Sequence, residues 1–151
     1  MSVEILNETG AKVDVSEFAA LGRFCLDALN VHPGAELCVT MVDVPAMSQL
    51  HERWMGDPGP TDVLSFPMDE IRPGQEGSES EGILGDVVLC PEVASVQARQ
   101  AGHSVTEELL LLTVHGILHL LGFDHAEPEE ERRMFDLQRK LLLTFLASRA
   151  P

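Results

Sequence analysis

Apolar residues recur along this chain with two different periods, which predict a sheet covered by helices. Alternation of apolar and polar positions, with β-branched residues, indicates strands over residues 3–6 and 36–43. Two further strands are expected over residues 63–67 and 83–89. Because proline cannot donate to a strand ladder, the strand that ends in Pro67 is predicted to lie at a sheet edge.

Between these strands, the apolar spacing changes to three or four residues, which is typical of helices with one buried face. Helices are expected over residues 16–29, from Pro45 to about 55, from Pro91 to about 100, and from Pro128 onward. The predicted inward faces carry, helix by helix, Phe18, Leu21, Cys25 and Leu29; Met47, Leu50, Trp54 and Met55; and Met134, Leu137, Leu141, Phe145 and Leu146.

One helix is apolar on nearly every side. Ser104 and Glu107 form a capping box at its start, and residues 109–121 are mostly leucine, isoleucine and valine. Such a helix must be buried in the core. The predicted fold class is therefore α+β, with a small sheet of about four strands packed with several helices, including this buried central helix. One domain is expected to span residues 1–151.

Two histidines interrupt the buried helix. His115 and His119 lie one turn apart on one face, at the separation from which two imidazoles reach one ion. Gly122 is expected to end the helix in the left-handed conformation and to turn His125 back toward them. Three neutral imidazoles suit zinc, and three protein ligands leave a position for water, as in catalytic sites. We predict one Zn²⁺ per chain, held by His115, His119 and His125.

The same histidine spacing occurs in metzincin proteases, where a Glu after the first His is the general base. Gly116 takes that place here and cannot accept a proton, which disfavours a metalloprotease. No catalytic side chain is assigned, and zinc-bound water is the proposed reactive group. Asp124 adjoins a predicted ligand and is a candidate to orient an imidazole or handle a proton; a turn-capping role is equally open.

Three motifs resemble the signatures of the YbeY-type endoribonuclease family: HGILHLLGFDH at residues 115–125, PTDVLSFP at 60–67 and LGDVV at 84–88. The resemblance implies a bacterial zinc-dependent endoribonuclease that cuts single-stranded RNA. It implies a role in ribosomal RNA maturation at the 16S rRNA 3′ end and in ribosome quality control, with the ribosome or its associated proteins as partners. Many members carry an Arg at the position of Met55; Arg53 is the nearest arginine here.

The charge of the chain bears on RNA binding. A net charge of −15 argues against a general nucleic-acid binder, because proteins that hold phosphate backbones usually show a basic surface. No DNA binding is expected, and RNA binding is expected to depend on the metal, on a partner or on a local basic patch. The basic cluster in the sequence, a candidate contact but more typical of a solvated helix face, is Arg132, Arg133, Arg139 and Lys140.

Three further residues are candidates for substrate contact. Trp54 is suited to stacking on a base, although a core role is favoured. Thr61 and Ser65 lie at the strand expected to form one wall of a substrate groove, and local hydrogen bonds are an equal alternative for both. A non-enzymatic ribosome-assembly factor with structural zinc is the main alternative to an enzyme.

Other features of the chain indicate its class. The 3 cysteines, Cys25, Cys38 and Cys90, are odd in number and widely spaced, so we expect reduced core residues. The sequence shows neither an export signal at its start nor an apolar run of about 18 residues, so a cytoplasmic protein without a membrane segment is expected. The acidic stretch of residues 69–82, rich in Gly and Ser, is expected to be a mobile loop.

Overall fold

The strands form one mixed sheet. The structure, a computed structural model, describes residues 2–69 and 82–149. Within them the sheet order is β1-β2-β4-β3, and the strands are β1 (Ser2–Asn7), β2 (Glu36–Met41), β3 (Val63–Pro67) and β4 (Ile83–Leu89). β1, β2 and β4 are parallel, and β3 runs antiparallel to β4. β3 therefore lies at an edge, as the proline at its end predicts.

Helices follow β1, β2 and β4 and pack against the sheet, which confirms the α+β fold class. They are α1 (Val15–Ala28), α2 (Val44–Met55), α3 (Pro91–Ala101), α4 (Val105–Leu120) and α5 (Pro128–Ser148). α2, α3 and α5 each have a proline in the first turn, where a missing N–H costs nothing. The hydroxyl of Ser104 accepts a hydrogen bond from the amide of Glu107 at 3.1 Å, as expected of the cap of α4.

α4 is the centre of the core. It packs against β3, β4, α1, α3 and α5. Its side chains of Leu110, Ile117 and Leu118 are each 0% exposed, which confirms the predicted burial. Full burial of each such side chain stabilises the fold by about 1.5–3 kcal/mol. The helix approaches the sheet closely at Gly116, where a Cβ atom would lie 2.6 Å from Cγ1 of Val87.

The inward face of α5 differs from the prediction. Met134, Leu141 and Phe145 are buried as expected, but Gln138 takes the position between them, and Leu137 and Leu146 are only partly buried. A buried amide on an apolar face requires a hydrogen-bond partner. The partner lies at the candidate site.

The end of α2 also differs from the prediction. Trp54 and Met55 were expected to face the core, but they are 58% and 61% exposed. Only the first part of this helix is anchored in the core, since Met47 is fully buried and Leu50 is partly buried. The apolar spacing of α2 therefore continues beyond the part that is packed.

Two of the three cysteines are buried as predicted. Cys25 and Cys90 are buried, whereas Cys38 is only half-buried; all three are free. Burial raises the pKa of the Cys25 thiol to about 12, as expected of an inert core residue.

Among the described residues, no helix combines the length and the apolar character needed to span a bilayer. Most of the predicted mobile loop, residues 70–81, lies outside the described residues.

Candidate metal centre

The turn after α4 brings the three predicted histidines together. The amide of Gly122 donates to the carbonyl of His119 at 3.0 Å, and the amide of Phe123 donates to that of Leu118 at 3.0 Å. These two bonds form a Schellman motif, and Gly122 has the left-handed φ of +95° that the motif needs. The chain therefore reverses and carries His125 back toward the end of α4.

The ring nitrogens of the three histidines converge. One nitrogen from each of His115, His119 and His125 lies within 4.8 Å of the others, and the Nε2 atoms of His115 and His119 are 3.1 Å apart. His115 and His119 are half-buried, and His125 is exposed. The two helical histidines and the histidine beyond the turn thus lie together in one cluster.

Both helical histidines also interact with groups outside the cluster. Nδ1 of His115 donates to Oε1 of Gln138 at 2.8 Å, and interaction with the backbone of Phe123 opposes the lowering of the His119 pKa. When both rings carry their proton on Nδ1, the lone pairs of the two Nε2 atoms face each other, and a cation would satisfy both. Their separation is close to the distance of about 3.4 Å between two nitrogen ligands of tetrahedral zinc. The residues therefore fit a divalent ion such as zinc.

Electrostatics favour the metal-binding form of these rings. Burial lowers the pKa of His115, and the hydrogen bond with Gln138 opposes that shift only in part. Burial also lowers the pKa of His119, and the neighbouring rings of His115 and His125 lower it further. Both rings are therefore neutral at pH 7, as a metal ligand must be.

The histidines open onto a groove of about 720 Å³. β3 and the residue before it form one wall with Ser65 and Asp62, as predicted for the edge strand, and α4 and α5 form the other with Leu112 and Phe135. The hydroxyl of Ser65 donates to the carbonyl of Gly116 at 2.9 Å, so its proton is used in holding α4 against β3. Its lone pairs remain for a contact in the groove.

Met55 and Trp54 line two different cavities. Met55, at the position where the family resemblance leads us to expect an Arg, lines the histidine groove. Trp54 lines a separate cavity and packs edge-on against Phe66, with ring centroids 6.2 Å apart. The guanidinium of Arg53 lies over the Trp54 ring, 5.2 Å from its centroid. Arg53 is thus not among the residues that line the histidine groove.

The remaining candidates make local contacts. The hydroxyl of Thr61 donates to the Asp62 carboxylate at 3.2 Å. The exposed Asp124 accepts a hydrogen bond from the amide of the adjacent His125 at 2.7 Å. In the basic cluster, Arg133 pairs with Glu129 and Arg139 pairs with Asp136, each at 3.8 Å. These pairs reduce the free positive charge of α5.

Sequence comparison places this architecture in a family. The profile of the family described as Endoribonuclease YbeY matches residues 4–146. This chain belongs to the YbeY family. A YbeY endoribonuclease of Beutenbergia cavernae is 73% identical over 99% of this chain and 100% of its own length. The relatives from Kineococcus radiotolerans and Thermobifida fusca are 60% and 62% identical over 97% and 94% of this chain, and over 88% and 92% of their own lengths.

The fold comparison agrees with the YbeY assignment. The solution structure of TM1509 from Thermotoga maritima superposes with a TM-score of 0.64 at 25% identity, over 97% of this chain and 90% of that one. The family resemblance expected from the three motifs is therefore confirmed.

Two residues at this YbeY site were missed by sequence reasoning. Gln138 is the hydrogen-bond partner of His115, and Phe135 stacks on His115 and His125 at centroid distances of 5.9 and 6.0 Å. Both come from α5, three residues apart and therefore on one face. The available signal was Gln138 itself, a polar residue four positions after Met134 on an otherwise apolar stripe.

Proposed function

We propose that this chain is a zinc-dependent endoribonuclease that cleaves single-stranded RNA, with His115, His119 and His125 as the zinc ligands. We further propose that its substrate is ribosomal RNA, that it acts in 16S rRNA 3′-end maturation and ribosome quality control, and that the ribosome or its associated proteins are its partners. The observation that supports this most is the convergence of three histidine nitrogens within 4.8 Å, beside a groove, in a chain of the YbeY family.

The side chains around the groove favour hydrolytic chemistry. A zinc ion bound there supplies a Lewis acid for a phosphoryl oxygen and lowers the pKa of water to about 7. The hydrogen bond from Nδ1 of His115 to Gln138 directs Nε2 of His115 toward Nε2 of His119. Leu112 and Phe135 make one wall apolar, which lowers the local dielectric and strengthens electrostatic interactions in the groove.

Substrate contacts are proposed on the opposite wall. Ser65 lines the groove, and its free lone pairs can accept a hydrogen bond from a ribose hydroxyl. We propose that Thr61, which lies four residues earlier in the chain, extends this contact with the substrate. Trp54, on the separate cavity, is suited to stack on a base only where the RNA continues past the groove.

The groove offers RNA little positive charge of its own. Met55 cannot pair with phosphate, and the carboxylate of Asp62 lies on the same groove. With a net charge of −15, the chain must therefore obtain its attraction for phosphate from the bound ion and from partners. This supports an enzyme that acts on RNA presented within a larger assembly.

The packing around Gly116 also bears on the alternative that this chain is a metalloprotease. A Cβ atom at Gly116 would meet Val87 of β4 at 2.6 Å, so a side chain at this position would point into the sheet. A Glu side chain at this position would collide with Val87 and with the hydroxyl of Ser65. The position that carries the general base in metzincins therefore has no space for a Glu side chain in this chain.

The test combines zinc analysis with RNA cleavage. Wild type, His119→Ala and a matched control, His32→Ala in the turn before β2, are compared on a structured 16S rRNA 3′-end fragment after their folding has been verified. One zinc per chain in wild type and control, with cleavage lost only in His119→Ala, is the expected result. Bound zinc with equal residual cleavage in all three would instead support a zinc-stabilised assembly factor. Chelator-sensitive cleavage of casein would support a protease.

A further inference from the structure

α5 holds a buried amide against the metal centre. Gln138 is 7% exposed and lies on the inward face of the helix, between the buried Met134 and Leu141. Burying an amide without partners is unfavourable, so its hydrogen bonds decide whether the position is tolerated. Its Oε1 atom lies 2.8 Å from Nδ1 of His115. The amide is therefore placed to act on a predicted ligand.

This contact selects one tautomer of His115. A neutral imidazole carries a single N–H, and Oε1 can only accept, so the proton must be on Nδ1. The lone pair is then on Nε2, which faces Nε2 of His119 at 3.1 Å. In the other tautomer, Nδ1 and Oε1 would face each other as two acceptors, and an N–H would point to the position of the ion.

Phe135 restrains the same ring from a second direction. Its ring stacks on His115 with an interplanar angle of 21° and on His125 with an angle of 29°. Phe135 and Gln138 are three residues apart and share one helix face. α5 contributes no histidine to the cluster, yet it fixes both the plane and the protonation pattern of His115.

We propose that Gln138 is a positioning residue that holds His115 in the tautomer whose Nε2 binds the metal. This inference rests on the metal site of the proposed function. Loss of such a partner typically lowers metal affinity about 10- to 100-fold. A carboxylate at the same place accepts the same proton and preserves the tautomer.

The experiment measures zinc affinity by competition with a chromophoric chelator. Gln138→Leu removes the acceptor at similar volume, Gln138→Glu keeps it, and Leu141→Ala loosens α5 one turn away, at a residue 6% exposed. We expect about 10- to 100-fold weaker zinc binding in Gln138→Leu, wild-type or tighter binding in Gln138→Glu, and unchanged binding in the less stable Leu141→Ala. Wild-type affinity in Gln138→Leu, or equal loss in Gln138→Glu, would overturn the proposal.

Nitrogen-15 NMR of the imidazoles in the metal-free protein gives a second measurement. The wild-type His115 ring is expected to carry its proton on Nδ1, and Gln138→Leu is expected to show a mixture of tautomers. A wild-type proton on Nε2 would overturn the proposal. Neither measurement uses RNA. If wild type binds zinc and cuts no RNA, the proposed function fails while the role of Gln138 stands. If Gln138→Leu binds zinc as tightly as wild type and cleavage is lost in His119→Ala, the proposed function stands while the role of Gln138 fails.

Discussion

Gly116→Ala tests how closely α4 packs on the sheet. In an ordinary helix interior this substitution stabilises a protein by about 1 kcal/mol, because glycine has the greater conformational freedom when unfolded. Here the added Cβ would lie 2.6 and 3.1 Å from the two methyl groups of Val87 and 3.2 Å from Oγ of Ser65. Val87 is 0% exposed, and a dense core resists its displacement. We therefore expect the opposite sign.

The expected magnitude follows from three contributions. Overpacking in a dense core costs about 1–3 kcal/mol. Displacing Ser65 weakens its 2.9 Å hydrogen bond to the Gly116 carbonyl, a bond worth about 0.5–1.5 kcal/mol. After the helix-propensity gain is subtracted, the free energy of unfolding should fall by roughly 2 kcal/mol, or about 4–8 °C in Tm for a chain of this size.

Urea and thermal unfolding measure this change. Val87→Ala in the Gly116→Ala background removes the colliding methyl groups, so the double variant should be more stable than the sum of the single effects by about 1 kcal/mol or more. Gly22→Ala in α1 is the matched helical substitution. Its Cβ meets Val3 of β1 at 2.9 Å, and Val3 is only partly buried, so it should shift more easily than the fully buried Val87 and the cost should be smaller. A stabilised Gly116→Ala variant, or strict additivity with Val87→Ala, would refute the reasoning.

Three further predictions concern the groove, the metal and the core. Met55→Arg should raise kcat/KM for RNA by roughly 10-fold, because a charged hydrogen bond to phosphate is worth about 1.5–3 kcal/mol; the gain should shrink with added salt, and a decrease at low salt would contradict it. Removing zinc with a chelator should lower Tm, since saturation at 100 times Kd stabilises the fold by about 2.7 kcal/mol; an unchanged Tm would count against a bound ion. Burial raises the pKa of Cys25 to about 12, so the folded protein holds the unreactive thiol until the pH nears that value. Iodoacetamide at pH 8 should therefore modify Cys25 only after unfolding, which peptide mass mapping detects, and labelling in the native state would be inconsistent with the burial.

The positions of the strands and helices were predictable because their signals are local. Pro67 marks an edge strand through its missing N–H, and the apolar run of residues 109–121 has no polar face to expose. The order of the strands was not predictable, because β4 inserts between β2 and β3 through pairing that no local pattern encodes. Trp54 and Met55 were misplaced for a related reason. Periodicity shows which face of α2 is apolar, and it does not show where the helix stops being covered.

The residues of the candidate site also fall into those that the sequence predicted and those that it did not. The three histidines lie within residues 115–125, so helix geometry and one glycine turn suffice to bring them together. Gln138 and Phe135 reach the site only through the packing of α5 on α4, which depends on the whole core. Met55 was found by comparison with a family motif, and its location beside the histidines required the fold.

The contact between Gly116 and Val87 constrains the order in which this chain can accumulate substitutions. Any side chain gained at residue 116 collides with β4 unless Val87 has first been replaced by a smaller residue. Val87→Ala alone leaves a cavity in a fully buried place, so the first step is itself destabilising, by about 1–3 kcal/mol. The two positions are therefore epistatic, and a path toward an acidic residue beside the first histidine must cross a less stable intermediate.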